Sequence, residues 1–203
     1  MAVQKPYSVS RRSILSTVPL VPLAALSAAP PATESAFPPP QLRIIEAFVD
    51  RLIPTDEIGP GARECGVATY INRSFAGPLT EEKPAFVKGL AAVDAIARTT
   101  HNAAFAELSP DKQDAILTAI ENNDAPGFTP DSRTFFYRMR QLALEGMFGD
   151  PFYGGNRGFA GWDLIRYPGP RMAVSADDQR LREPIKMLRT SARPSTNGAT
   201  HGR

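Results

Sequence analysis

The stretch QLRIIEAFVDRLIP, residues 41–54, sets the fold class. Ile44, Ile45, Phe48, Val49, Leu52 and Ile53 recur at the three-to-four-residue spacing that gathers apolar side chains on one helix face. Pro54 ends the run, because its ring cannot continue the helical ladder. The expected element is an amphipathic helix of about three turns.

The same period repeats downstream. A turn at Gly59, Pro60, Gly61 and Ala62 precedes a second helix with Val67, Tyr70, Ile71 and Phe75 on one face, stopped by Gly77 and Pro78. A third is expected over 81–105, with Phe86, Leu90, Val93, Ala97 and His101 in one row. Ser109-Pro110 opens a fourth through Ile116 and Ile120, and Thr129-Pro130 opens a fifth with Phe135, Met139 and Leu142 inward. No segment alternates like a strand, so the expected fold is all-α: about five amphipathic helices around one core, with a long irregular C-terminal segment rich in glycine and aromatics.

Composition bounds the rest. The 203 residues fit one domain, and the formal charge of +2 comes from a leader, since residues 1–29 hold Lys5, Arg11 and Arg12 and no acid. Without them the chain carries 20 basic against 21 acidic residues. That balance removes the electrostatic case for a nucleic acid partner. Cys65 is the single cysteine, so no intramolecular disulfide can form.

Ser10-Arg11-Arg12-Ser13-Ile14-Leu15-Ser16, followed by a short apolar run broken by Pro19 and Pro22, has the layout of an export signal, with Arg11 and Arg12 as its twin-arginine pair. A membrane span needs about 20 apolar residues, more than this run supplies. Ala25-Leu26-Ser27 and Ser27-Ala28-Ala29 both offer small residues for cleavage. The expected organisation is therefore a signal over 1–29, a Pro-rich linker over 30–40, the helical domain over 41–171, and a basic tail over 172–203, read as solvated.

Chemistry finds little purchase. Two histidines and one cysteine supply no di-iron, haem-attachment or zinc pattern. No glycine-rich nucleotide loop follows a strand. Asp50 with Asp56, or Glu145 with Asp150, could form an acid/base pair, but helix ends and turns account for them equally well. His101 reads as a core or boundary residue.

The stretch EGMFGDPFYGGNRGFAGWDLIRYPGPR, residues 145–171, stands apart. Its glycines allow tight bends, its prolines stiffen the chain, and Phe148, Phe152, Tyr153, Phe159, Trp162 and Tyr167 anchor it by burial. It either wraps the helical core or presents aromatics to a partner, and the two are compatible if opposite sides do each.

At these residues the chain resembles the gluconate 2-dehydrogenase subunit 3 family. The resemblance rests on Ser10-Arg11-Arg12, on Asp50-Arg51-Leu52-Ile53-Pro54 with Gly61-Ala62, and on Glu145-Gly146 to Asp150-Pro151. It rests also on Tyr153-Gly154-Gly155-Asn156 leading to Gly161-Trp162 and Tyr167-Pro168-Gly169-Pro170. Arg166, where a smaller residue is expected, and Asp163 depart from the pattern.

The resemblance implies a non-catalytic small subunit with no cofactor of its own. Its partner would be an FAD-dependent large subunit that oxidises a sugar, polyol or sugar acid, often with a c-type cytochrome subunit carrying haem c. It also implies a periplasmic location reached by the twin-arginine route, with membrane association only through the complex, and support for export and assembly of the flavoprotein. The implied partner interface comprises Asp150, Pro151, Tyr153, Gly154, Gly155, Asn156, Arg157, Gly161, Trp162, Tyr167, Pro168 and Gly169. Two other readings remain at this point: a cofactor-free periplasmic enzyme using a pocket carboxylate and His101, or a free-standing periplasmic assembly factor.

Overall fold

The computed structural model describes residues 35–171, 173–179 and 186–192. Arg11, Arg12, the leader and His201 lie outside the described residues. Five helices of ten or more residues form the body: α1 Pro39–Leu52, α2 Val67–Ala76, α3 Lys83–His101, α4 Pro110–Glu121 and α5 Ser132–Phe148. A one-turn α6, Ala160–Leu164, lies within the glycine-rich segment. No strand occurs among the described residues, so the all-α expectation holds.

Each helix turns its apolar stripe toward one core. α1 buries Ile44, Ile45, Phe48 and Val49, and its end folds back through Ala62 N–H donating to Ile53 O at 2.8 Å. Gly61 is needed there, because a Cβ would sit 2.5 Å from Ile53 O. Phe48 meets Phe105, Phe135 and Phe136 at centroid distances near 6 Å, a geometry favourable to aromatic pairs.

Several boundaries differ from the sequence expectation. α3 stops at His101 rather than Phe105, because Asn102 takes a left-handed conformation and Asp94 Oδ1 accepts Phe105 N–H at 3.0 Å. α5 starts after Asp131, whose carboxylate accepts Thr134 N–H at 2.8 Å, so the cap lies two residues beyond Thr129. α4 starts at Pro110 as expected, but Ser109 contributes its carbonyl and not its side chain to the first turn.

The core also reaches back into the expected linker. Phe37 is fully buried between Phe75, at 5.2 Å, and Phe86, at 5.7 Å. Asn72 Oδ1 accepts the N–H groups of Ala36 and Phe37, which pins this segment to α2.

Candidate functional site

The last turn of a helix leaves four carbonyls without intrahelical partners. In α5 these belong to Glu145, Gly146, Met147 and Phe148, and the following segment is built around them. Gly149 N–H donates to Glu145 O, Asn156 N–H to Gly146 O, and Trp162 Nε1 to Phe148 O, each at 2.8 Å. Gly161 covers Met147 O so closely that a Cβ would stand 1.9 Å from it. At Gly155 a Cβ would fall 2.1 Å from Gly146 O. These glycines exist for backbone contact, not for mobility.

Asn156 is the knot of this wrap. It is fully buried and left-handed, at φ 45°. Its Nδ2 donates to Gly149 O, and its Oδ1 accepts Gly161 N–H, both at 2.8 Å. A side chain bearing both donor and acceptor is required, and asparagine is among the few residues that tolerate this backbone region. The next residue ties the wrap to α2: Arg157 N–H donates to Cys65 O, and its guanidinium reaches Thr69 Oγ1 at 2.8 Å across the face of Gly66.

The twelve expected interface residues therefore divide. Gly155, Asn156, Gly161, Trp162 and Gly169 are buried and face their own chain. Asp150, Pro151, Gly154 and Pro168 are half-buried, with Asp150 Oδ1 accepting Phe152 N–H at 2.9 Å. Tyr153, Arg157 and Tyr167 are exposed. Ile165, which the sequence reading did not single out, is 54 % exposed beside Tyr167, and the exposed knob Ile58 precedes Gly59, which packs against Leu164. A hollow of about 270 Å³ opens among Phe148, Asp150, Trp162, Ile165, Tyr167, Pro170 and Ala192.

Arg166 and Asp163 have physical settings of their own. Arg166 is left-handed at φ 53°, the conformation that glycine adopts most readily. Asp163 pairs with Arg189 at 2.7 Å. That contact belongs to a strap, residues 186–192, which the sequence placed in a solvated tail. Leu188 N–H donates to Pro168 O and Ala192 N–H to Asp150 Oδ2, both at 2.8 Å, so the segment is held on the wrap by backbone groups.

The candidate acid/base groups are engaged elsewhere. Asp50 pairs with Arg63 at 3.3 Å, and Asp56 accepts Ile58 N–H at 2.8 Å. Glu145 accepts Tyr70 Oη at 2.8 Å, and burial together with this carboxylate pushes the Tyr70 phenol up from its ordinary value. His101 is half-buried in the last turn of α3 and lines neither the wrap hollow nor the cavity of about 140 Å³ among Leu52, Ile53, Glu121, Phe136, Arg140, Ala143 and Leu144. Among the described residues no three His, Cys, Asp or Glu side chains gather as a metal-ligand set. Among the same residues no helix is long and apolar enough to cross a membrane.

No curated protein and no solved structure matches the chain. The sequence pattern of one family does, over residues 39–169, a span that begins at the first residue of α1 and ends within the wrap. Helical body and wrap together thus make up the unit that this match defines: the chain belongs to the gluconate 2-dehydrogenase subunit 3 family.

Proposed function

We propose that this chain is the non-catalytic small subunit of an exported, FAD-dependent dehydrogenase acting on a sugar, polyol or sugar acid, and that it supports twin-arginine export and assembly of the flavoprotein subunit. The observation that carries this reading is the family match over residues 39–169, which takes in the five long helices and most of the wrap. At the wrap hollow, Asp150 is committed to Phe152, Ser191 and Ala192. FAD and any haem c then reside in the partner subunits. The inward side of residues 145–171 caps α5, and its outward side, with Tyr153, Arg157, Ile165 and Tyr167, meets the flavoprotein.

Co-expression with the flavoprotein tests this directly. Changing Arg11 and Arg12 to Lys is expected to hold both chains in the cytoplasm, because the paired guanidinium groups, and not charge alone, define the signal. A flavoprotein that reaches the periplasm beside a retained small chain refutes the export role. Dehydrogenase activity in the purified chain alone refutes the non-catalytic reading.

A further inference from the structure

The strap shows what the outer face of the wrap can hold. Two of its contacts, Leu188 N–H to Pro168 O and Ala192 N–H to Asp150 Oδ2, come from backbone groups that any peptide carries. Two others select chemistry: Arg189 donates to Asp163 at 2.7 Å, and Ser191 Oγ donates to Asp150 Oδ1. The strap lies beyond residue 169, where the family match ends.

The strap fills this face incompletely. Ala192 places one methyl at a hollow of about 270 Å³, and Ile165 and Tyr167 stay 54 % and 39 % exposed with the strap in place. The Arg189–Asp163 pair is largely solvated, with side chains 62 % and 37 % exposed, so screening keeps its hold weak. The bound segment is thus matched in charge and backbone pattern but undersized at its apolar position.

We propose that Pro168, Asp150 and Asp163 form a peptide seat, filled in cis by residues 186–192, that receives in trans a non-helical segment of the larger subunit with a basic residue three positions before a bulky apolar one. Asp163 faces the basic residue, Asp150 takes the hydroxyl and the backbone N–H that follow it, and the hollow beside Trp162 and Tyr167 rewards a side chain larger than alanine. Only the identity of the partner rests on the accessory-subunit reading. The cis strap acts at an effective concentration on the order of millimolar, which sets the threshold that a trans segment must exceed.

The probe is a labelled peptide, KMLRTSA, copied from residues 186–192. Its binding is read by fluorescence anisotropy against the full chain and against a full-length Leu188→Pro, Arg189→Glu double variant, which loosens the strap and leaves the seat intact. The double variant is expected to bind the peptide at least ~10-fold more tightly than the unaltered chain, because the cis competitor is weakened. A peptide with Leu in place of the final Ala should bind several-fold tighter again, and one with Glu in place of Arg should bind several-fold more weakly.

Equal binding to both chains, no binding to either, or no gain from the Leu peptide overturns the seat. Deleting residues 186–203 is a second route to the same opening. If that deletion and the double variant both lose helical circular dichroism and the Trp162 emission, the strap is part of the fold and the proposal falls. Co-purification of the large subunit with the intact chain tests the accessory reading separately. A complex that forms equally well with the intact and loosened chains sinks the seat alone, whereas no complex with either sinks the accessory reading and the partner named here.

Discussion

Replacing Asn156 by Ala removes the knot without touching the helical body. The substitution leaves Gly161 N–H, which is buried, and Gly149 O, which is half-buried, without their side-chain partners. Each such loss costs roughly 1–3 kcal/mol. Alanine held at φ 45° adds roughly 1–2 kcal/mol, because its Cβ crowds the backbone where asparagine is tolerated. The total, on the order of 3–8 kcal/mol, is comparable with the stability of a typical domain, about 5–15 kcal/mol.

Urea unfolding provides the assay, since Trp162 is the only tryptophan, is 5 % exposed and hangs from Phe148 O. Its fluorescence follows the wrap, while far-ultraviolet circular dichroism follows the helices. The Trp162 transition should move to lower urea by the amount above, ahead of the helical transition if the wrap detaches first. Asn156→Gly should lie between Ala and the unaltered chain, because it relieves the strain but not the lost bonds. A Trp162 transition for Asn156→Ala within about 0.5 kcal/mol of the parent, the range of an ordinary surface change, would refute the knot.

Further outcomes are expected. The Arg51 guanidinium, bonded to Asp114 at 2.7 Å, holds that carboxyl below its ordinary value. A depressed carboxyl contributes stability that is complete above its unfolded pKa, about 3.9, and is lost as pH falls through the lower folded value. Asp114→Asn should therefore flatten the acid limb of the stability curve while costing about 1 kcal/mol or less at neutral pH, since the pair is partly exposed. An unchanged acid limb in urea melts would remove this linkage. Burial pushes the Cys65 thiol up and shields it, so iodoacetamide should label it only on unfolding. Labelling of the native chain at the unfolded rate would contradict that placement. Ile165→Ala should weaken the flavoprotein complex ~10-fold or more, with the melting temperature of the isolated chain nearly unchanged, whereas Tyr167→Ala also removes the ring packed on Trp162 at 4.9 Å and should lower it. Equal affinity by calorimetry would move the interface away from the hollow. Arg157→Ala should cost about 1 kcal/mol, the worth of its exposed bond to Thr69.

The helices were legible because their signal is periodic. Ile44, Ile45, Phe48 and Val49 declare α1 whatever surrounds them, and the same holds for Phe86, Leu90, Val93 and Ala97 in α3. Their ends were less legible, because Asn102 and Asp131 act through single hydrogen bonds that leave no period. Phe37 escaped notice because an isolated aromatic among prolines has no face to belong to until Phe75 and Phe86 surround it. In the wrap, the glycines and aromatics marked residues 145–171 as a distinct segment but not which side of it faces inward. The burial of Asn156 depends on carbonyls ten or fewer residues earlier, which only the end of α5 brings into range. One signal was present in the sequence: Gly149, Gly155 and Gly161 recur every six residues, and they meet the carbonyls of Glu145, Gly146 and Met147 in turn.

That six-residue beat makes the segment a ruler. Its length is fixed by the pitch of α5, since each glycine must arrive as the next carbonyl of the final turn comes round. Inserting or deleting one residue between Gly155 and Gly161 would bring a side chain to Met147 O, where a Cβ at 1.9 Å has no room. Asn156 or Trp162 would at the same time lose the carbonyl it serves. Epitope tags, protease sites and linkers inserted between Gly149 and Gly161 should consequently undo the wrap.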